Sequence, residues 1–333
     1  MAVHPQGRAA VLMPWTIAIT GPDLAQPGLD VLSAAGCRVL FIQDNSTDAE
    51  LLALVRKERI DGILARHGVS GNVIRATDTI RCISRHGAGY NSVDVPAATA
   101  KKIPVLVAAG VNAQSVAELT IGLMIAVARS IPMHDGNLRR ARWIRGPSGT
   151  QLAGRTMDIV GLGAVGKRVA RAAAGLGLNV MAYDPYINAV IDGVERVGSL
   201  DDLLSRAEVL TLHCPLTDET EGMIGAAELA ALPKGAIVLN AARGPVIDED
   251  ALVATLRSGH LLGAGLDTFR DEPPSADCPL LSLPNVVLTP HIGAHTGHAT
   301  DAVSATAAEN LLRILDGKPV DPALCVNRVV LPA

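Results

Sequence analysis

The chain has 333 residues, 49% hydrophobic and 19% charged, with 29 Lys plus Arg against 33 Asp plus Glu and a formal net charge of −4. That length predicts two domains rather than one core, and the apolar content excludes intrinsic disorder. The acidic balance and seven aromatics (two Trp, three Tyr, two Phe) argue against nucleic-acid partners, which need a basic excess or stacking platforms. In chain order, the N-terminus carries Arg8, a short AAVLM stretch and Pro14, without the h-region or cleavage site of a leader. From 15 to 107, the runs at 15–20, 38–42, 62–65, 81–84 and 103–107 predict buried parallel strands. They alternate with helices at 29–36, 49–58 and 92–102, the pattern of an open α/β layer.

The longest helix is expected from Ser115 to about Ser130; it is apolar on more than one face and so suited to a domain or subunit contact. Residues 146–154 (GPSGTQLAG) are the only linker-like stretch. Strands follow at 157–161, 179–184, 194–198, 208–213, 235–240, 261–267 and 285–289, with helices near 164–176, 199–206, 225–231 and 248–258. A last helix over about 299–316 stops at Gly317 with Pro319 beyond. No apolar run approaches the ~20 residues of a membrane span. Five scattered cysteines, with no C-x-x-C, fit a reducing, cytoplasmic setting better than disulfides or zinc.

Gly161-Leu162-Gly163-Ala164-Val165-Gly166 has the form G-x-G-x-x-G, between a strand and a helix. In that context it predicts a dinucleotide site: Gly161 for the tight turn, Gly163 for close approach of a pyrophosphate, Gly166 for helix packing, and the helix N-terminus for the anion. Asp184 ends the next strand, where a carboxylate can bind ribose hydroxyls and repel a 2′-phosphate. No Arg follows it (Pro185, Tyr186), which favours NAD over NADP. Arg243, Asp267 with Glu272, and His291 each lie at or just beyond a predicted strand end, the edge at which ligands bind in open parallel sheets. An Arg for a carboxylate, a His for a proton and a Glu to orient the His are what oxidation of a 2-hydroxy acid requires. His291, His295 and His298 lack the H-E-x-x-H arrangement and nearby acids or cysteines, so no metal is expected.

The chain closely resembles the D-isomer-specific 2-hydroxyacid dehydrogenases, most nearly their phosphoglycerate dehydrogenase branch. The likeness rests on RHGAGYNSVD (85–94), SVAELT (115–120), GLGAVG (161–166), LHCPLTDET (212–220), NAARG (240–244), GLDTFRDEPP (265–274) and TPHIGAHT (289–296). It implies two doubly wound parallel-sheet domains: an NAD-binding Rossmann domain, 111–298, inserted in a flavodoxin-like substrate-binding domain, 1–110 and 299–333. It implies Arg243 on the substrate carboxylate, His291 as acid/base and Glu272 as its partner. Implied cofactor contacts are Gly163, Ala164, Val165, Asp184, His213, Pro215, Thr220, Ala242 and Asp267, beside Gly161 and Gly166.

For the substrate, backbone N–H groups of Gly87, Ala88 and Gly89 are expected to assist Arg243. Arg66, Arg85 and Arg145 are surplus cations that suggest a second anionic group, as in 3-phosphoglycerate; rim solvation or pairing with Asp61 or Asp94 is the plainer reading. A homodimer through the 115–130 helix and the Trp143 segment is expected, with no nucleic-acid or membrane partner. The chain leaves no room for an added regulatory domain, so serine feedback through one is not expected. Two alternatives stand beside the phosphoglycerate-like dehydrogenase: a dehydrogenase of a simple acid such as glycerate or lactate, and a non-catalytic NAD-sensing corepressor.

Overall fold

The computed structural model describes residues 15–42, 48–147, 149–187 and 191–331. The expected absence of a leader concerns residues 1–14, which lie outside them, as does Ser148 of the linker-like stretch. In chain order the elements are β1 (Thr16–Ile19), α1 (Gln26–Ala34), β2 (Arg38–Phe41), α2 (Asp48–Lys57), β3 (Gly62–Ala65), α3 (Gly71–Arg75), β4 (Cys82–Arg85), α4 (Val95–Ala100) and β5 (Val105–Val107). Helices α5 (Ala113–Ala128) and α6 (Ile131–Arg139) follow, then β6 (Thr156–Val160), α7 (Ala164–Gly175), β7 (Asn179–Tyr183), β8 (Val194–Arg196) and α8 (Leu200–Leu204). The rest are β9 (Val209–Leu212), α9 (Ala226–Ala231), β10 (Ile237–Asn240), α10 (Glu249–Arg257), β11 (Gly263–Leu266), β12 (Val286–Leu288) and α11 (Gly297–Leu315).

The chain divides into two compact units, 1–111 with 300–333, and 112–299. In the first, five parallel strands run in the order β2-β1-β3-β4-β5, the flavodoxin-like order. One face buries Ala18, Ile63, Ile83 and Val105 with residues of α2, α3 and α4. The other packs Ile17, Ile19, Leu64 and Leu106 against Leu32 of α1 and Ala307, Leu311 and Leu315 of α11. Strands covered on both faces are continuously apolar, which is why these short runs were readable without alternation.

The second unit is a seven-stranded parallel sheet, β12-β11-β10-β9-β6-β7-β8, the Rossmann order with one added edge strand. Helices α5 and α7 cover one face, with Leu123, Met124, Val127, Val169 and Ala173 packed on Met157, Ile159 and Leu239. Residues of α8, α9 and α10 cover the other. Glycines let α5 lie close to the sheet: a Cβ at Gly265 would meet Leu123 Cβ at 2.9 Å.

Two expectations about helices need correction. The longest described helix is α11, with 19 residues, against 16 for α5; α11 begins at Gly297, just after Thr296, whose hydroxyl accepts the Ala299 N–H at 3.2 Å. Helix α6 was not anticipated: Pro132 and Gly136 obscure it in the sequence, yet Pro in the first turn is compatible with a helix. Among the described residues no single helix is long and apolar enough to cross a membrane.

Candidate active site

The register of the second sheet explains how residues 130 positions apart come together. Val160 pairs with Tyr183 and Leu212, Leu212 with Asn240, Asn240 with Leu266, and Leu266 with Leu288. Six strands therefore end in one row, and their following loops share the carboxyl edge. On that edge lie Gly161, Asp184, His213, Arg243, Glu272 and His291.

The glycine loop fits a dinucleotide. Gly161 has φ +96°, and a Cβ there would lie 2.8 Å from the backbone at His213 and Cys214; at Gly166 it would lie 2.0 Å from the Gly161 carbonyl oxygen. Gly163 differs, since a Cβ there meets nothing within 4 Å. Its space is open toward a ligand, directly over the N-terminus of α7 with its free N–H groups. Beside it is a cavity of about 690 Å3 lined by Gly161, Gly163, Asp184, His213, Pro215 and Thr220 among others. Ala164 and Val165 form the first turn of α7.

Asp184 is buried. Its carboxylate accepts N–H bonds from Leu162 at 2.8 Å, Tyr186 at 2.9 Å and Ile187 at 3.1 Å, tying the glycine loop to the β7 turn. His213 shares a 3.0 Å hydrogen bond with the Thr211 hydroxyl, and burial pushes its pKa down to about 3, so it stays neutral. The Thr220 hydroxyl donates to the Pro215 carbonyl at 2.6 Å and braces the 215–220 loop.

After β10, Asn240 organises the loop that presents Arg243. Its amide donates to the Arg243 carbonyl at 2.8 Å and accepts from Ala242 N–H at 3.0 Å. The guanidinium is half-buried, and burial lowers its pKa from the ordinary arginine value, partly countered by Glu272. Gly244 seats this loop on the next one: a Cβ there would lie 1.9 Å from the Phe269 carbonyl carbon and oxygen. Three residues past Phe269 is Glu272, whose Oε1 accepts the Phe269 N–H at 3.1 Å. Its Oε2 lies 2.7 Å from His291 Nδ1. Burial pushes the Glu272 carboxyl up, but bonds from His291 and Phe269 together with the His291 and Arg243 charges leave it below the ordinary range.

His291 itself has φ +52°, a conformation uncommon for a non-glycine residue. Asp267 holds it there. Its carboxylate, almost fully buried, accepts the Thr289 hydroxyl at 2.6 Å and the N–H groups of Ile292 and Gly293 at 2.8 Å each. Its carbonyl accepts the His291 N–H at 2.9 Å. The result is a carboxylate–imidazole pair able to move one proton, with a guanidinium presented from the neighbouring strand end. Asn240, Gly244 and Thr289 lie within the NAARG and TPHIGAHT motifs, but the sequence assigned them no role of their own.

The first-unit candidates lie at the carboxyl ends of β3 and β4. The Arg66 guanidinium is ion-paired with Asp23 and donates to the Asp23 carbonyl at 2.8 Å. Arg85 donates to the Gly89 carbonyl at 2.7 Å and the Ala65 carbonyl at 2.8 Å, bracing the Gly87–Ala88–Gly89 turn, in which Gly87 has φ +134°. Of the acids foreseen as partners, Asp61 accepts from Arg59 and Asp94 caps α4. His86 lies 2.8 Å from the Ser304 hydroxyl, and burial, with Arg66 and Arg85, lowers its pKa to about 4. In the second unit Arg145 is exposed, 5.9 Å from the centre of the Trp143 ring. Among the described residues no group of three His, Cys, Asp or Glu could hold a metal ion.

Residues 121–293 match the family model described as "D-isomer specific 2-hydroxyacid dehydrogenase, NAD binding domain". The chain is 39% identical over 308 residues, 91% of its length, to a D-3-phosphoglycerate dehydrogenase of Methanocaldococcus jannaschii, and spans 58% of that relative. It is 34% identical over 320 residues to a glyoxylate reductase of Thermofilum pendens, covering 92% of this chain and 93% of the relative. The NAD+-bound 3-phosphoglycerate dehydrogenase of Entamoeba histolytica superposes with a TM-score of 0.80 at 28% identity, over 94% of this chain and 99% of that one. The chain thus spans little more than half the length of the first curated relatives it matches.

Proposed function

The chain belongs to the family of D-isomer specific 2-hydroxyacid dehydrogenases, and on that premise we propose that it interconverts a 2-hydroxy acid and the 2-oxo acid with NAD(H). One observation carries the reading: the 2.7 Å His291–Glu272 pair on the same sheet edge as Arg243 and the glycine loop. Bound NAD supplies hydride chemistry at its nicotinamide ring. The chain supplies the rest. Arg243 binds the substrate carboxylate and polarises the 2-oxygen. Nε2 of His291 takes the hydroxyl proton on oxidation and returns it on reduction. Glu272 accepts from Nδ1, fixing the tautomer and stabilising the imidazolium while the proton resides there.

The curated relatives' names support a substrate with a second anionic group, such as 3-phosphoglycerate, with Arg145 the cation least engaged in local structure. The Thermofilum relative supports a simple acid such as glyoxylate instead. Initial rates with NADH and a panel of 3-phosphohydroxypyruvate, hydroxypyruvate, glyoxylate and pyruvate separate the two. Cofactor binding without turnover on any of them would favour the corepressor reading. We further propose a homodimer formed through α6 and the segment around Trp143, in place of the 115–130 helix, whose Leu123, Met124 and Val127 are packed on the sheet instead. Ile131, Leu138, Trp143 and Ile144 expose large apolar surfaces there, Trp143 at 75%, and such a patch calls for a partner. The five free cysteines accord with a reducing cytoplasm.

A further inference from the structure

Asp184 is not the most exposed carboxylate at the dinucleotide cavity. A carboxylate offers about four acceptor positions, and three N–H groups already fill three of those of Asp184. The loop after β9 brings Asp218 and Glu219 to the same cavity, both exposed. The Tyr186 hydroxyl donates to Glu219 Oε2, joining the β7 turn to the β9 loop. Among the described residues, three carboxylates therefore line this cavity, and no Lys or Arg does. Arg196 donates to the Asp184 carbonyl at 3.2 Å, and Arg168 to the Ala164 carbonyl at 2.7 Å.

We propose that Glu219, tethered by the Tyr186 hydroxyl, is a specificity-determining residue that excludes a 2′-phosphorylated dinucleotide. This rests on reading the cavity as the NAD site. Asp184 shapes the pocket, while its charge is buried and shared among three donors. Glu219 carries an exposed charge that accepts the Tyr186 hydroxyl, and a 2′-phosphate entering this cavity would bring about two further negative charges. The Glu219 bond raises the Tyr186 pKa, so the tether persists at neutral pH. Repulsion between such groups in a partly solvated pocket amounts to roughly a tenfold change in affinity per carboxylate.

The test is a set of dissociation constants for NADH and NADPH, from protein-to-nicotinamide energy transfer, for the wild type, E219Q and Y186F. The wild type is expected to prefer NADH by at least ~10-fold. E219Q should shrink that preference about tenfold, mainly through tighter NADPH binding. Y186F should move it the same way by less, because the charge remains but is no longer held. Raising the salt concentration should narrow the wild-type preference, and narrow that of E219Q by less, since Asp218 and Asp184 remain. A folded E219Q with the wild-type ratio overturns the assignment while leaving the NAD site intact. Failure of the wild type to bind either cofactor would instead remove the dinucleotide reading itself.

Discussion

Asp158 lies in the middle of β6, fully buried, on the sheet face packed by α8 and α9, and among the described residues neither of its carboxylate oxygens has a hydrogen-bond donor. Its register neighbours are Met181 and Leu210. Glu195 follows Met181 in the same row and is paired with Arg206 at 2.8 Å. Burial pushes the Asp158 pKa from 3.8 to about 7, with Arg206 pulling it down and Glu195 pushing it up. A carboxyl whose folded pKa is raised favours folding fully below its unfolded value and loses that contribution as the pH rises through the folded value. Between about pH 5 and pH 8.5, two protonation equilibria at these values remove about 2.5–3 kcal/mol from this unit. D158N keeps the shape and cannot ionise. Urea unfolding followed by circular dichroism should show the wild type losing stability across that interval and D158N staying level, so that the variant is the more stable protein at the alkaline end. Parallel pH dependences in the two proteins would refute the argument, for the proton would then be bound elsewhere.

Replacing His291 with Ala should lower turnover by at least ~10²-fold, the usual scale for a general acid/base, with NADH binding close to wild type in equilibrium titration. E272Q should lower turnover by less and shift the pH–rate profile, since the imidazolium loses its anionic partner; an unaltered profile would exclude Glu272 from proton transfer. In G244A the new methyl would meet the Phe269 carbonyl at 1.9 Å, so thermal melting should register a loss of about 2–4 kcal/mol, with a rise in KM as the Arg243 loop is displaced. W143D together with L138D should convert the dimer to monomer by light scattering; a mass of 34.5 kDa for the unaltered chain would already defeat that proposal.

Features whose physics is local were legible in the residues. Buried parallel strands had to be short apolar runs, and G-x-G-x-x-G had to follow one of them and open a helix. Arg243, Glu272 and His291 could be placed near strand ends from spacing alone. Tertiary structure decided what depends on which strands lie side by side. TMDIV reads as one more strand, and only sheet order β9-β6-β7 and its covering helices reveal that Asp158 is fully buried with no donor among the described residues. Arg66 and Arg85 look identical to free cations in the sequence until Asp23 and the Ala65 and Gly89 carbonyls are folded against them. Gly244 is an ordinary loop glycine until the loop after β11 passes within contact of it. Tyr186 and Glu219 are 33 residues apart and meet because β7 and β9 flank β6 in the sheet. The division has one cause: periodicity and turn chemistry are written within a few residues, whereas desolvation, ion pairing and close backbone approach are properties of neighbours that the chain brings together only when the sheet forms.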